Sequence, residues 1–529
     1  MSHSAEARPT LQAGPTPPAG PDDVQPTEVQ PVEVRLYNYD RPPVRPLVPG
    51  DTVEHCGTRV LGLLFTGLVA YDPADGSAHE AVARSITSQD ATTFTVSLHP
   101  GWTFHDGTPV TAASFVDAWN HTAHAANRQA GATAFEKVLG YHEVHPATGE
   151  PTAERMRGLT VLDELTFTVT LAEPFGLFPV MLGAAAYLPL PARYFTDRAG
   201  YLASPVGNGP YRLVEAGPAE LRLTRHQPYP GPFVPLVRDL RLISYPNRES
   251  AYRALLAGEL DYLEALPHAL VADGGAEREL AGRITGRDGL ELQALAFPSY
   301  LPGYDSPELR KAVSLAIDRE RVVRRALGGR QRIADGWSVP GIPGHLPGQA
   351  GPYCRHDPEA ARELLARSGF TGPLEFHSPA SAEGWLGEIA ACLTETLGLA
   401  CELVLYDTVR GYADAVADRT VTGIVRADWA ADYPALENFL RPQFHSRSPS
   451  NESGYHRPEF DALLAEADRT PDPGAATFRY QQAERLLAED LPHVPLWQEW
   501  AVAGYSARLS RVAMTCQGEL DLRTVLVTP

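Results

Sequence analysis

Apolar and polar residues alternate along Val32-Glu-Val-Arg-Leu-Tyr37, as in a strand with one buried face, so ordered structure is expected to begin near Val32. The same period of two recurs in Thr93-Phe-Thr-Val-Ser-Leu98 and Leu165-Thr-Phe-Thr-Val-Thr-Leu171, which predicts antiparallel strands with one wet face. Val60 to Tyr71 is mostly apolar and closes on Asp72-Pro73, predicting a helix-sized element followed by a turn. Gly207-Asn-Gly-Pro-Tyr211 predicts a tight turn that glycine tolerates cheaply.

Helical spacing dominates later in the chain. Ser306-Pro307 caps a stripe of Leu309, Ala312, Val313, Ala316 and Ile317, and Gly328-Gly329 is expected to end that helix. Asp357-Pro358 opens a second, carrying Ala361, Leu364 and Leu365 and closed by Gly369. Phe460, Leu463, Leu464 and Ala467 trace a third. Short strands mixed with helices and Pro/Gly loops indicate an α/β protein of several lobes, and no internal repeat is visible.

Pro174 to Ala192 is uncharged and long, but Pro174, Pro179, Pro189 and Pro191 would break a spanning helix. It reads as buried loop and strand. Met1 to Pro31 holds seven prolines and has neither an apolar core nor a basic start, so it reads as a disordered leader and not as a secretory signal. A chain of 529 residues implies two to four lobes at roughly 100–200 residues each. The excess of 65 acidic over 45 basic residues, net −20, works against nucleic acid and anionic membrane surfaces. It mildly favours cationic ligands and also serves solubility. Five scattered cysteines show neither a disulfide framework nor zinc spacing.

Catalytic signatures are missing: no nucleophile elbow, phosphate loop, dinucleotide turn or H-E-x-x-H occurs. His121 with His124, and His142 with His145, could each share a helical face as metal ligands, but no third ligand stands at a fitting spacing. His105-Asp106 is followed by Gly107-Thr-Pro, which marks a turn, and Asp318-Arg319-Glu320 reads as a solvated or ion-paired helix face. No cofactor or metal is implied. The densest candidate site is Arg426-Ala-Asp428-Trp429-Ala430-Ala431-Asp432-Tyr433-Pro434. It joins an anion that can meet an ammonium, a guanidinium that can meet a carboxylate in bidentate fashion, and aromatic surface. A structural ion pair beside a core tryptophan is the competing reading.

Taken together, five segments resemble the oligopeptide- and dipeptide-binding proteins of peptide ABC importers (family 5 extracellular solute-binding proteins). They are Leu64-Phe-Thr-Gly-Leu-Val-Ala-Tyr71, Gly101-Trp-Thr-Phe-His-Asp-Gly-Thr-Pro-Val-Thr-Ala112, Val206-Gly-Asn-Gly-Pro-Tyr211, Ala251-Tyr-Arg-Ala-Leu-Leu-Ala-Gly-Glu-Leu-Asp261, and Arg310 through Ala316-Ile-Asp-Arg319. They run in family order from about Val32 to the C-terminus. The resemblance implies an α/β, two-lobed periplasmic-binding-protein fold (type II, large three-domain variant) with a hinge and an interlobe ligand cleft.

Residues 1–31 would be the leader, with domain I built from 32–72, 204–292 and 494–529. Domain II would span 73–203 and domain III, the second ligand lobe, 293–493. The hinge crossings would lie near Leu295-Ala-Phe297 and Val494-Pro-Leu-Trp497. In the resemblance, Asp432 holds a peptide α-ammonium, Arg426 is able to hold a carboxylate, and Trp429 and Tyr433 add pocket surface. The backbone of Asp428, Trp429, Ala430 and Ala431 pairs with the ligand as an added strand. Ala430 stands where relatives often carry cysteine, and Pro298 replaces an asparagine after the hinge phenylalanine.

The implied partners are a peptide or amino-acid-derived ligand and a membrane ABC permease, with no nucleic acid, and the chain is expected to be a monomer. The location implied is extracytoplasmic and membrane-associated, and the source actinobacterial. The missing signal and lipoprotein cysteine leave open a cytoplasmic relative recruited into specialised metabolism, as carrier or enzyme. A sensor lobe is a third reading. Acidic excess and Glu437 together motivate a lean toward ligands bearing a guanidinium.

Overall fold

The computed structural model describes residues 33–39, 43, 45–267, 270–271, 273–470 and 472–528; the expected leader lies outside them. Its spine is an eleven-stranded mixed sheet. In chain order its main strands are β1 (Glu33–Tyr37), β2 (Tyr211–Ala216), β3 (Glu220–Arg225), β4 (Asp239–Ile243), β5 (Tyr262–Glu264), β6 (Ile284–Ala296), β7 (Leu374–Pro379), β8 (Cys401–Tyr406), β9 (Ile424–Ala430) and β10 (His493–Tyr505). Across the sheet they run β8-β7-β9-β6-β10-β5-β1-β4-β3-β2, and Arg332–Ile333 adds a short strand to β10. A separate four-stranded antiparallel sheet contains Thr93–Leu98 and Thr166–Thr170, both alternating as their sequence predicts.

β6 and β10, thirteen residues each, pair antiparallel at the centre of the large sheet. Leu295 faces Val494 and Gln293 faces Trp497, so the expected hinge residues sit side by side in one ribbon. Apolar side chains collect into separate cores. One gathers Phe94, Trp119, Phe135 and Phe167. Another gathers Phe297, Val313, Trp337, Ile389 and Phe439. A third draws Val34, Leu61, Tyr211, Leu240, Ala503 and Met514 together from distant stretches of chain. The first two meet at Leu177, which packs against both, and the Gly176 N–H donates to the Asp468 carbonyl at 3.0 Å.

Asp261 ties the third region. Fully buried, its carboxylate accepts from the Arg35 backbone and guanidinium, Ser506 Oγ and Arg508 Nη1, all within 3.0 Å. Burial opposes its charge, and these donors outweigh that and hold its pKa below the ordinary value.

Several expected elements differ in detail. The apolar run from Val60 is not one helix: His55–Leu64 is helical, Phe65 is extended, and Val69–Tyr71 is a strand. The Gly207 turn forces the break. Gly209 N–H donates to the Leu64 carbonyl at 2.8 Å, and the Asn208 amide exchanges two hydrogen bonds with the Thr66 backbone. The glycines are needed for close approach and not for a left-handed backbone, since a Cβ at Gly207 would stand 1.9 Å from the Leu64 oxygen. His105, in its turn, accepts from Gly207 N–H at 3.2 Å, while Asp106 bonds Thr108.

Pro174 to Ala192 is buried loop with short helical turns, Phe178–Met181 among them, and no strand. Among the described residues no helix is long and apolar enough to cross a membrane. The helix capped by Ser306 stops at Ala316, and Asp318 caps a new one, Arg319–Ala326, so Gly328-Gly329 ends the second and not the first. Arg319 is buried, not solvated. Its guanidinium donates to the Pro495 and Ser314 carbonyls at 2.8 and 2.9 Å. The other two predicted helices form as Pro358–Ser368 and Pro458–Asp468. The paired histidines mostly serve packing: His121 bonds Tyr194, His145 Nδ1 lies 2.8 Å from the Ala123 carbonyl, and His124 caps Ala126.

Asp261→Asn should strand Arg35 and Arg508 without their anion. Breaking a buried pair costs about 3–5 kcal/mol, so the first unfolding transition in urea should move to lower concentration, by that loss divided by its m-value. An unchanged midpoint would show that water replaces the carboxylate.

Candidate functional site

β9 is bonded unevenly along its length. On one edge it pairs with β6 from Ala296↔Val425 to Glu291↔Ala430. On the other, β7 reaches it only at Ile424 and Val425. From Ala427 to Ala430 no strand among the described residues pairs with that second edge, which leaves a row of main-chain groups able to accept another strand, while the Arg426 carbonyl is taken by the Tyr412 hydroxyl. Val425 and Ala427 enter the core with Tyr412 and Val416, while Asp428 and Ala430 are exposed and Arg426 and Trp429 half-buried.

Beyond the strand the chain turns into the helix Leu436–Phe444, and Asn438 in its first turn organises the turn. Asn438 Oδ1 accepts from the Asp432 N–H at 3.0 Å and from the Trp429 indole at 3.2 Å. The Asp432 carboxylate has no cation partner among the described residues; its one contact is the Asn438 amide at 3.4 Å. The side chain is solvent-accessible yet enclosed by protein, and burial pushes its pKa up against that weak hydrogen bond. Its charge also reaches Tyr71 and, after burial and Tyr187, helps raise that phenol.

Two expectations need correction. Tyr433 is buried with its hydroxyl on Glu437, so it braces the turn from behind and presents little surface to a ligand. Glu437 is only 1% exposed and also bound by Arg441 Nε at 2.6 Å, which leaves it nothing to offer a guanidinium.

Arg426, Asp428, Trp429, Ala430, Ala431 and Asp432 are brought together as one ledge. Arg426 is already engaged, with Nη2 3.3 Å from Asp428 Oδ1 and Nε on Gln293 Oε1 at 3.1 Å. Gln293 in turn donates to Glu291 at 2.9 Å. Glu291 is raised to about 7, first by burial and then by Asp428 and Glu499, with Arg426 opposing. Sequence reasoning missed Asn438, Glu291, Gln293, Glu452 and Glu499. A signal existed for two of them: Glu291 and Gln293 stand two apart, on one strand face, just before the apolar hinge residues.

A two-lobed sheet protein with an accessible anion beside an open strand edge is the arrangement of a solute-binding protein. The chain belongs to the bacterial extracellular solute-binding proteins, family 5, whose middle-region model matches residues 78–451. It is 25% identical over 450 residues to the periplasmic oligopeptide-binding protein OppA of Escherichia coli strain K12, covering 82% of this chain and 81% of that one. To the glutathione-binding protein GsiB of the same strain it is 24% identical over 491 residues, covering 88% and 89%. Its fold superposes on the solved clavulanic acid biosynthesis oligopeptide binding protein 2 with a TM-score of 0.80, at 23% identity and covering 94% and 96% of the two chains. The fold is thus the two-lobed type II architecture.

Asn438→Leu should leave the Asp432 N–H and the Trp429 indole without an acceptor, at about 1–3 kcal/mol of stability in chemical denaturation. In a Trp429→Phe background the loss should shrink, because one of the two donors is gone. Equal losses in both backgrounds would remove Trp429 from the network.

Proposed function

We propose that this chain captures a peptide or peptide-like solute between its lobes and delivers it to a membrane ABC permease. It acts as a binding protein, not an enzyme, on the extracytoplasmic side. In this reading 32–72, 204–292 and 494–529 form domain I, 73–203 domain II and 293–493 domain III; the apolar cores follow this division in the main, with Val48, Leu68 and Val69 packing into the domain II core and Leu188 into that of domain I. The observation that carries the proposal is Asp432: an accessible carboxylate without a cation partner among the described residues, at the end of an open strand edge. A ligand α-ammonium supplies the missing charge, and main-chain pairing along Asp428 to Ala431 supplies affinity without side-chain selectivity. The names of OppA and GsiB, an oligopeptide binder and a glutathione binder, fit a ligand of this kind.

Asp432→Asn should weaken free-amino peptides by about 2–5 kcal/mol, measured by calorimetry, while N-acetylated peptides lose far less. Equal losses would refute the ammonium role. Saturating ligand should close the lobes: at a hundredfold excess over Kd, stability should rise by about 2.7 kcal/mol. A radius of gyration by X-ray scattering that does not fall on saturation would count against closure.

A further inference from the structure

Domains I and II are knitted into one body. Val48, Leu68 and Val69 of domain I pack into the domain II core, Leu188 packs the other way, and the Gly131 N–H donates to the Gly50 carbonyl at 2.9 Å. Domain III is joined to that body through the β6–β10 ribbon. It is also gripped from the side, by the domain II loop Phe175-Gly176-Leu177. Leu177 packs against the domain II and domain III cores at once, and the Gly176 N–H reaches the carbonyl of Asp468, the last residue of the Pro458–Asp468 helix, at 3.0 Å. Lys137, one of two lysines in the chain, lies 4.4 Å over the Phe175 ring. Burial opposes the charge of the Asp468 carboxylate, while Arg441 and, more weakly, Lys137 favour it, so the lysine acts on domain III from across the boundary.

Asp468 leads back to the ligand ledge. Its carboxylate takes Arg441 and the Tyr480 hydroxyl, the latter at 2.7 Å. Arg441 also holds Glu437 at 2.6 Å, and Glu437 accepts from Tyr433, the residue after Asp432. Glu437, Asn438 and Arg441 share the nine-residue helix Leu436–Phe444. Asn438 sets the Asp432 turn, and Arg441 stands about one helical turn further on. A single rigid rod, about 13 Å long, thus carries the ligand turn at one end and the grip on Asp468 toward the other. Domain II meets the ledge turn as well, since a Cβ on Gly76 would stand 3.8 Å from Pro434 Cβ.

We propose that Phe175-Gly176-Leu177 with Lys137 is a latch by which domain II holds domain III in the closed state, setting how long a bound solute is retained without touching it. The inference rests on the peptide reading above and concerns its regulation. Opening at the ribbon swings domain III away from the fused domains I and II, so the Gly176–Asp468 hydrogen bond and the Leu177 packing break before the solute leaves. The latch stabilises the closed state alone. It therefore slows release and leaves encounter with the open protein unchanged. Without ligand, the same contacts keep part of the population closed.

Gly176→Val and Lys137→Glu attack the latch from two directions. Gly176 does not have a left-handed backbone, so a side chain brings no backbone strain, but its Cβ would stand 3.3 Å from the Thr470 carbonyl oxygen across the boundary. Lys137→Glu sets a carboxylate against Asp468, whereas Lys137→Arg keeps the attraction. The probes are tri-alanine, tetra-alanine and glutathione, followed by stopped-flow tryptophan fluorescence, with X-ray scattering of the ligand-free proteins. Gly176→Val and Lys137→Glu should each release bound peptide about tenfold faster at an unchanged association rate, and Lys137→Arg should release it as the parent chain does. Ligand-free, the two disruptive variants should show a larger radius of gyration than the parent. Unchanged release in both, with peptide still bound, overturns the latch and leaves the peptide reading standing. A loss of affinity carried by association overturns it too, because damage to the site itself has that signature. If none of the three probes binds the parent chain, the peptide reading falls, and the ligand-free radii decide the latch alone: equal radii overturn it.

Discussion

The backbone pairing of β6 with β10 is the constraint on which everything else hangs. Each strand runs from one region of the protein into another, and together they form the ribbon at the middle of the sheet. A two-strand ribbon keeps its hydrogen bonds when it twists, so lobes joined this way can rotate without unfolding their connection. The site is fastened to the same ribbon. Glu291 and Gln293 belong to β6, Trp497 and Glu499 to β10, and Arg426 and Asp428 to the strand paired beside them. The register of β6 on β10 shifts between Asp288 and Leu292 and again between Gln293 and Ala294. Such bulges re-aim side chains, and these two bracket the polar residues that enter the site.

Buried charges divide into two kinds. Arg319, Arg310 and Asp261 are structural, and each is saturated: the arginines by main-chain carbonyls, the aspartate by two arginines and a serine. Among the described residues Asp432 and Glu452 are left almost or wholly without donors. For Glu452, whose Oε2 is closed off from water, that lack costs stability, whereas Asp432 is exposed and free to meet a ligand. The open carboxylate of Asp432 is intelligible as unfinished coordination that a ligand completes.

Much of the fold was legible because it depends on local rules. Period-two alternation gave Thr93–Leu98 and Thr166–Thr170, and caps gave Pro307 and Pro358 as helix starts. What stayed hidden depends on residues far apart in sequence. Nothing near Val60 announces that Gly209 will take the Leu64 carbonyl and end the helix there. The ledge from Arg426 to Asp432 was visible as a motif, yet Tyr433 looked like its neighbours and turned out to face inward onto Glu437. Glu452 carries no local signature at all, since only the tertiary fold brings it to Arg426.

The Asp261 knot also sets a schedule. Arg508 follows Asp261 by 247 residues, and ribosomes add about 5–20 residues per second, so the last partner arrives on the order of 10–50 s after the carboxylate emerges. Until then β5 and β6 both lack the strand that separates them, because β10 is the shared neighbour of each. During that interval a chain that folds as it is made would expose two raw sheet edges, with Arg35 but not yet Arg508 or Ser506 on the Asp261 carboxylate. Those edges stay open to edge-to-edge association until β10 pairs between them.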